Sequence, residues 1–314
     1  MNTLHQYSKL TLLLAFMLTI SNSLFAQQLA HTSTFEGTKA YWNPAATAIT
    51  PHMQTDLWFR QQWVGFGSTA PRTGYIGFQM PFVDQNMGAG GMVHFDQTGP
   101  VSKTGLQLNY NYQLRGILRE DAQLSLGISA GFNQYAFNKD NVIFNDANDV
   151  LLQANTNSIL YPTIGAGLYY LSSTDTYYDN VFYFGLSYNQ LYATDVLIND
   201  FNQERERHMI FNMGTKIYSS ESYVEPSLTV NVTSPEIVNF IAAIKYELRD
   251  RFWAGIGYSS VSELVLQGGY VIDRIASRYD QLRIGIIGNV GINDAISNFG
   301  PGTEIYIAYR FEVD

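Results

Sequence analysis

Leu106-Gln107-Leu108-Asn109-Tyr110-Asn111-Tyr112-Gln113-Leu114 carries Leu or Tyr at every even position and Gln or Asn at every odd one. Successive side chains of a strand point to opposite faces, so this segment separates an apolar surface from a wet one. Glu304 to Phe311 repeats the arrangement. Ile305, Ile307, Tyr309 and Phe311 share one face, and Glu304, Tyr306, Ala308 and Arg310 share the other. Sustained along a long chain behind a secretion signal, this is the pattern of an outer-membrane β-barrel, apolar toward lipid and polar toward the lumen.

Composition supports lipid as the outer solvent. The chain has 314 residues, 46% hydrophobic but only 14% charged, against roughly 25% charged in soluble domains. Its 22 Tyr, 19 Phe and 26 Gly suit aromatic girdles and close strand contacts. A formal net charge of −9 argues against nucleic acid, which needs a basic footprint. There is no cysteine, which excludes disulfides, thiolate chemistry and Cys-ligated metals. Residues 1–26 read as a cleaved signal peptide, with Lys9, an apolar run from Leu10 to Ile20, and a cleavage region ending at Ala26.

After an irregular segment at 27–51, read as a periplasmic N-terminal segment or a plug, strand-like runs fill residues 52–314. They lie at roughly 54–64, 70–81, 87–97, 103–115, 121–137, 158–171, 179–191, 208–218, 222–232, 237–249, 251–260, 262–272, 278–292 and 302–312. That makes about fourteen, an even number as in bacterial single-chain barrels. Most have about the 9–11 residues that a tilted strand needs to cross a membrane. With both ends periplasmic, the even-numbered joins are short, while the longest, 138–157 and 193–207, fall on the extracellular side. The predicted lipid face includes Leu57, Phe59, Leu124, Leu126, Ile128, Phe240, Ile244, Tyr246, Ile284 and Ile286. The predicted interior includes Gln107, Asn109, Asn111, Ser125, Ser129, Asn239, Lys245, Glu247 and Asn289. A soluble β-sandwich or propeller also alternates, but its outward faces carry more charge.

Little in the chain points to catalysis. The five histidines are scattered, none pair at metal-ligand spacing, no P-loop is present, and the G-x-S-x-G string Gly127–Gly131 lies inside a strand run rather than at a strand-to-helix elbow. His94 and Asp96 share a strand face and invite comparison with a barrel hydrolase using a serine such as Ser125; an interior polar pair is the plainer reading. Asp140, Asp146 and Asp149 cluster in the longest loop with several Asn, an oxygen-rich set that a solvated loop explains better than Ca²⁺. No cofactor is expected. In Trp58-Phe59-Arg60-Gln61-Gln62-Trp63-Val64-Gly65-Phe66, the alternation assigns Trp58, Arg60 and Gln62 to one face, the lumen, and Phe59, Gln61 and Trp63 to the other. An aromatic belt beside a polar lumen accounts for this. So does an Arg buried in the wall that fixes a plug or gate.

Asn43-Pro44-Ala45, Arg60 with Gln62-Trp63 and Gly65, and Ala70-Pro71 with Thr73 open an ordered set of short motifs. Gly185-Leu186-Ser187, Glu225-Pro226-Ser227, Phe252-Trp253 with Gly255 and Tyr258, and Tyr309-Arg310-Phe311 continue it through nearly the whole chain. On these residues the chain resembles the PorP/SprF family of outer-membrane proteins, which accompanies the type IX secretion system and gliding machinery. The positions that carry the likeness are Asn43, Pro44, Arg60, Gln62, Trp63, Gly65, Pro71 and Trp253. It departs from the family pattern at Ala46-Thr47 and at Gly302-Thr303-Glu304.

The resemblance implies a non-enzymatic barrel that works with a secreted, adhesin-like substrate recognised through its C-terminal sorting domain. Its other partners would be the type IX translocon or periplasmic ring components and the lipid bilayer. The natural contact surface would be the long loops, with Asp140, Asp146 and Asp149 in the first and Asp195, Asp200 and Arg205 in the second. The alternative is a transport channel of the FadL or porin kind, which predicts a continuous lumen.

Overall fold

In the computed structural model the alternating segments pair edge to edge until the sheet meets itself. The structure describes residues 32–33, 37–138, 158–174, 180–192, 196–198, 201–203, 207–234, 237–249, 251–275, 280–293 and 297–311. The strands are β1 (Met53–Gln61), β2 (Arg72–Phe82), β3 (Met87–Thr98), β4 (Val101–Arg115), β5 (Gln123–Phe137), β6 (Ser158–Leu171), β7 (Val181–Asn189), β8 (Val196–Ile198), β9 (Phe201–Gln203), β10 (His208–Tyr218), β11 (Ser222–Ser234), β12 (Ile237–Leu248), β13 (Phe252–Ser259), β14 (Glu263–Asp273), β15 (Gln281–Gly291) and β16 (Gly302–Phe311). Fourteen of them form a closed antiparallel barrel in chain order, with β7 next to β10 and β16 back against β1; β8 and β9 make a separate hairpin. Closure gives every wall strand two partners, the condition for a sheet to lie in lipid.

The closing seam shows why the register holds. Gln54 opposes Arg310, Asp56 opposes Ala308, Trp58 opposes Tyr306, and Arg60 opposes Glu304. All of these face the interior. A slip by one residue would turn them to lipid and bring Leu57 and Ile305 inside. Around the wall the alternation is the expected one: Leu106, Leu108, Tyr110 and Tyr112 are exposed, while Asn109, Asn111 and Gln113 are buried. Ile128 and Ile286 stand 61% and 60% exposed in the middle of strands, a placement stable only against hydrocarbon. Phe59 and Leu124 are half-buried among their outward neighbours.

Two local expectations need correction. β1 ends at Gln61 rather than near 64. Gln62 N still donates to Pro71 O at 2.9 Å, in the register of the β1–β2 pair, but Trp63 takes φ 52° with Gly65 at φ 129°. Left-handed backbone cannot continue a strand, so the chain turns there. Within the long join expected at 193–207, β8 pairs with β9; runs of three residues are too short to register as periodic.

Candidate functional site

The lumen is occupied. Residues 37–50 run through it as a helical turn, α1 (Lys39–Trp42), followed by a 3₁₀ turn at Pro44–Ala46, nearly all of it buried. So short a segment cannot satisfy its own backbone, and inward polar side chains do so instead. Asn109 Nδ2 donates to Ala40 O at 2.7 Å, Ser187 Oγ and Asn189 Nδ2 each donate to Trp42 O at 2.8 Å, and Gln113 Nε2 donates to Ala48 O at 3.0 Å. Gln79 Oε1 accepts from Ala48 N at 2.9 Å, and Asn111 Nδ2 donates to Thr47 O. The Gln/Asn face that identified the strand is therefore the face that grips the plug.

Asn43 and Pro44 stand at the centre of this seat. Asn43 Oδ1 accepts from Ala45 N at 3.0 Å, and its Nδ2 donates to Leu168 O at 2.9 Å. Pro44 begins the 3₁₀ turn, where a missing N–H costs nothing. Glycine in the wall makes the approach possible. A Cβ on Gly127 would collide with the Pro44–Ala45 backbone, one on Gly167 with Asn43, and one on Gly88 would lie 2.8 Å from Thr47 O. Asn43→Ala removes one donor and one acceptor from the seat and is expected to cost about 1–2 kcal/mol, measured by urea unfolding of the refolded barrel. Asn43→Ser, which keeps a neutral cap acceptor for Ala45 N, should recover part of the loss.

At the β1–β16 seam, Glu304 forms a second anchor. Its Oε1 lies 3.3 Å from Arg60 Nε and accepts from Ser33 N at 3.0 Å, while its Oε2 accepts from Trp58 Nε1 at 3.0 Å. Arg60 and Glu304 are 1% and 0% exposed. Arg60 is thus a buried wall cation whose partner also holds the N-terminal segment. Glu304 was visible in the sequence only as an inward position of the last strand.

On the far wall, charges from three strands meet. Glu247 accepts from Arg283 Nη1 at 2.9 Å and Nη2 at 2.6 Å, a bidentate pair, and from Tyr223 at 2.6 Å. Lys245 Nζ lies 2.9 Å from Glu225, which also accepts from Tyr183 at 2.9 Å. The Trp253 indole lies along the wall nearby, over Gly269 and Gly285, where a Cβ would strike the ring. At the rim carrying the β1–β2 connection Trp63 stacks on Phe299 at 4.9 Å. Of the family-motif residues, Asn43 and Pro44 sit in the plug, Arg60 and Trp253 face inward, and Gln62, Trp63, Gly65 and Pro71 shape the β1–β2 connection. Asp140, Asp146, Asp149, Asp195, Asp200 and Arg205 lie outside the described residues.

The hydrolase constellation does not assemble. His94 Nε2 is 2.7 Å from Asn133 Oδ1, and Asp96 instead accepts from Thr73 Oγ1 at 2.6 Å. Ser125 is near the other end of the barrel, accepting from Gln123 Nε2 at 3.1 Å. Among the described residues no three His, Asp or Glu side chains group as metal ligands. The open space is asymmetric. A cavity of about 550 Å³ lies beneath the plug at the mouth bordered by the β4–β5 and β10–β11 turns, while pockets of about 70 and 30 Å³ flank and overlie it.

Comparison with curated proteins finds no match. Among solved structures, the toluene transporter TbuX of Ralstonia pickettii is similar, with a TM-score of 0.52 and 10% identity over 87% of this chain and 92% of that one. The CymD monoaromatic hydrocarbon channel gives 0.53 and 10% over 87% and 91%. The toluene transporter TodX of Pseudomonas putida gives 0.50 and 7% over 88% and 93%. At these identities the likeness establishes the outer-membrane barrel fold alone. Residues 24–309 match the family described as type IX secretion system membrane protein PorP/SprF, and the chain belongs to that family.

Proposed function

We propose that this protein is an occluded outer-membrane barrel that serves type IX secretion as export partner or surface anchor for a secreted, adhesin-like substrate with a C-terminal sorting domain. The observation that carries this reading is the filled lumen. The Asn43–Pro44 turn is hydrogen-bonded to inward side chains of β2, β4 and β7 and to the β6 backbone, which suits a docking platform better than a conduit. On this reading residues 1–26 are removed on export and residues 27–51 supply the plug. The long connections carrying Asp140, Asp146, Asp149, Asp195, Asp200 and Arg205 meet the substrate outside the cell. The similar barrels named as toluene transporters and a hydrocarbon channel supply the rival reading, a small-ligand channel, which requires the plug to leave.

The test is affinity purification of the tagged protein from outer membranes in mild detergent, with mass spectrometry of what accompanies it. Recovery of a large secreted protein bearing a sorting domain, together with loss of that protein from the cell surface on deletion, is the expected result. A lone barrel that takes up small ligands would refute the proposal.

A further inference from the structure

The vestibule beneath the plug is cationic, although the chain carries a formal net charge of −9. Lys39, Arg115, Lys216, Arg249, Arg283 and Arg310 line it, and Glu225 is the one carboxylate among the described lining residues. Arg115, Lys216 and Arg310 occupy inward positions of their strands, two or four residues along from the buried Gln113, Asn212 and Ala308, and Arg249 follows β12 two residues after the buried Glu247. Glu225 in the lining holds Lys245, and the carboxylates behind it are committed as well: Glu247 holds Arg283, Asp56 accepts from Gln54 and Gln79, and Asp280 accepts from Tyr309. Among the described residues, counting Lys245, Glu247, Asp56 and Asp280 with the lining still leaves cations in excess. Asp84, Glu120, Asp121 and Glu221 are exposed on the surrounding turns, where water and salt screen them. Inside a low-dielectric barrel mouth the same charges act less screened and attract anions from solution.

We propose that this vestibule is a docking site for an acidic polypeptide end presented from the periplasm. Charge complementarity selects an anion, and the shape and lining select a peptide. The plug makes the cavity blind, so it receives a chain end or a loop tip; a glycan strand, which runs on past its binding site, needs a groove open at both ends. Ile49, Leu171, Val181 and Tyr169 lie among the cations, giving apolar side chains a place beside the carboxylates. A volume of about 550 Å³ falls within the range of ordinary ligand sites, roughly 300–1,000 Å³. This goes beyond the proposed function, whose substrate is met outside the cell.

The experiment uses the full barrel in nanodiscs of neutral lipid and a short fluorescein-labelled peptide alternating Glu or Asp with Leu or Phe. A control peptide replaces the acids with Gln and Asn, and anisotropy reports binding. Only the acidic peptide is expected to bind, more weakly as salt rises. Arg115→Gln with Arg249→Gln, at two cations on the cavity mouth, should weaken it about three- to tenfold while the heat-modified gel shift stays unchanged. Equal binding of both peptides, no binding of either, or indifference to the double substitution would overturn the proposal. Displacement by inorganic phosphate or by soluble peptidoglycan fragments at comparable concentration would also overturn it, in favour of a small-anion or cell-wall site. No secreted substrate is present, so the outcome is independent of the purification above.

Discussion

Glu304→Ala is expected to destabilise the barrel by about 3–5 kcal/mol, the cost of stripping the partner from a buried charge. The residue answers three groups at once: the Arg60 guanidinium, the Trp58 indole N–H and the Ser33 amide. Arg60 is 1% exposed and cannot reach bulk water without opening the β1–β16 seam, the junction that closes the sheet. Urea unfolding in lipid vesicles, followed by tryptophan fluorescence and gel shift, measures the effect. Glu304→Gln keeps an acceptor for Trp58 but leaves Arg60 uncompensated, so it should fall between wild type and Ala. Replacing both charges, Arg60→Met with Glu304→Leu, should return most of the stability, because a buried pair swapped for apolar side chains is often neutral. Glu304→Ala and the double variant lose the tie to Ser33, so protease access near residue 33 should rise in each whatever their stability. If the double variant is as unstable as Glu304→Ala, the lost ion pair is not the cause.

The wall was legible because period-two alternation is a local property. Leu106–Leu114 and Glu304–Phe311 declare their two faces without reference to any other strand, and lipid outside sharpens the contrast. Local reading failed where backbone geometry or distant convergence decides. Nothing in Gln62-Trp63 announces that φ turns positive at Trp63, so the alternation there is carried past the true end of β1. Parity shows that Arg283 and Glu247 both face inward, but a sequence separation of 36 hides the fact that one grips the other across two intervening strands. The seat was half legible. Strand glycines signal a close backbone approach, and Asn43-Pro44 signals a turn, yet only the fold shows that the turn is what approaches Gly127 and Gly167.

Gly127→Val is the substitution expected to open the lumen. Gly127 is an inward position of β5, and a Cβ there would occupy the space of the Pro44 carbonyl and the Ala45 backbone. Backbone cannot yield as a flexible side chain does, so the turn must leave its seat. The wall itself has no reason to fail, since valine is a better strand residue than glycine, by up to about 1 kcal/mol. The polar groups that held the plug pass to water entering the lumen, so the expected loss of stability is modest, about 1–3 kcal/mol. The expected gain is ion conductance in planar bilayers, where the wild-type barrel stays closed. Protease cleavage within 37–50 should rise alongside it. Gly288→Val is the control: it adds the same side chain to β15 where a Cβ meets nothing within 4 Å, and it should stay closed. If Gly127→Val conducts no better than this control while cleavage within 37–50 rises, the plug has moved without opening a path. The seal would then belong to another part of the chain, and occlusion by the Asn43–Pro44 turn would no longer support a docking platform over a channel.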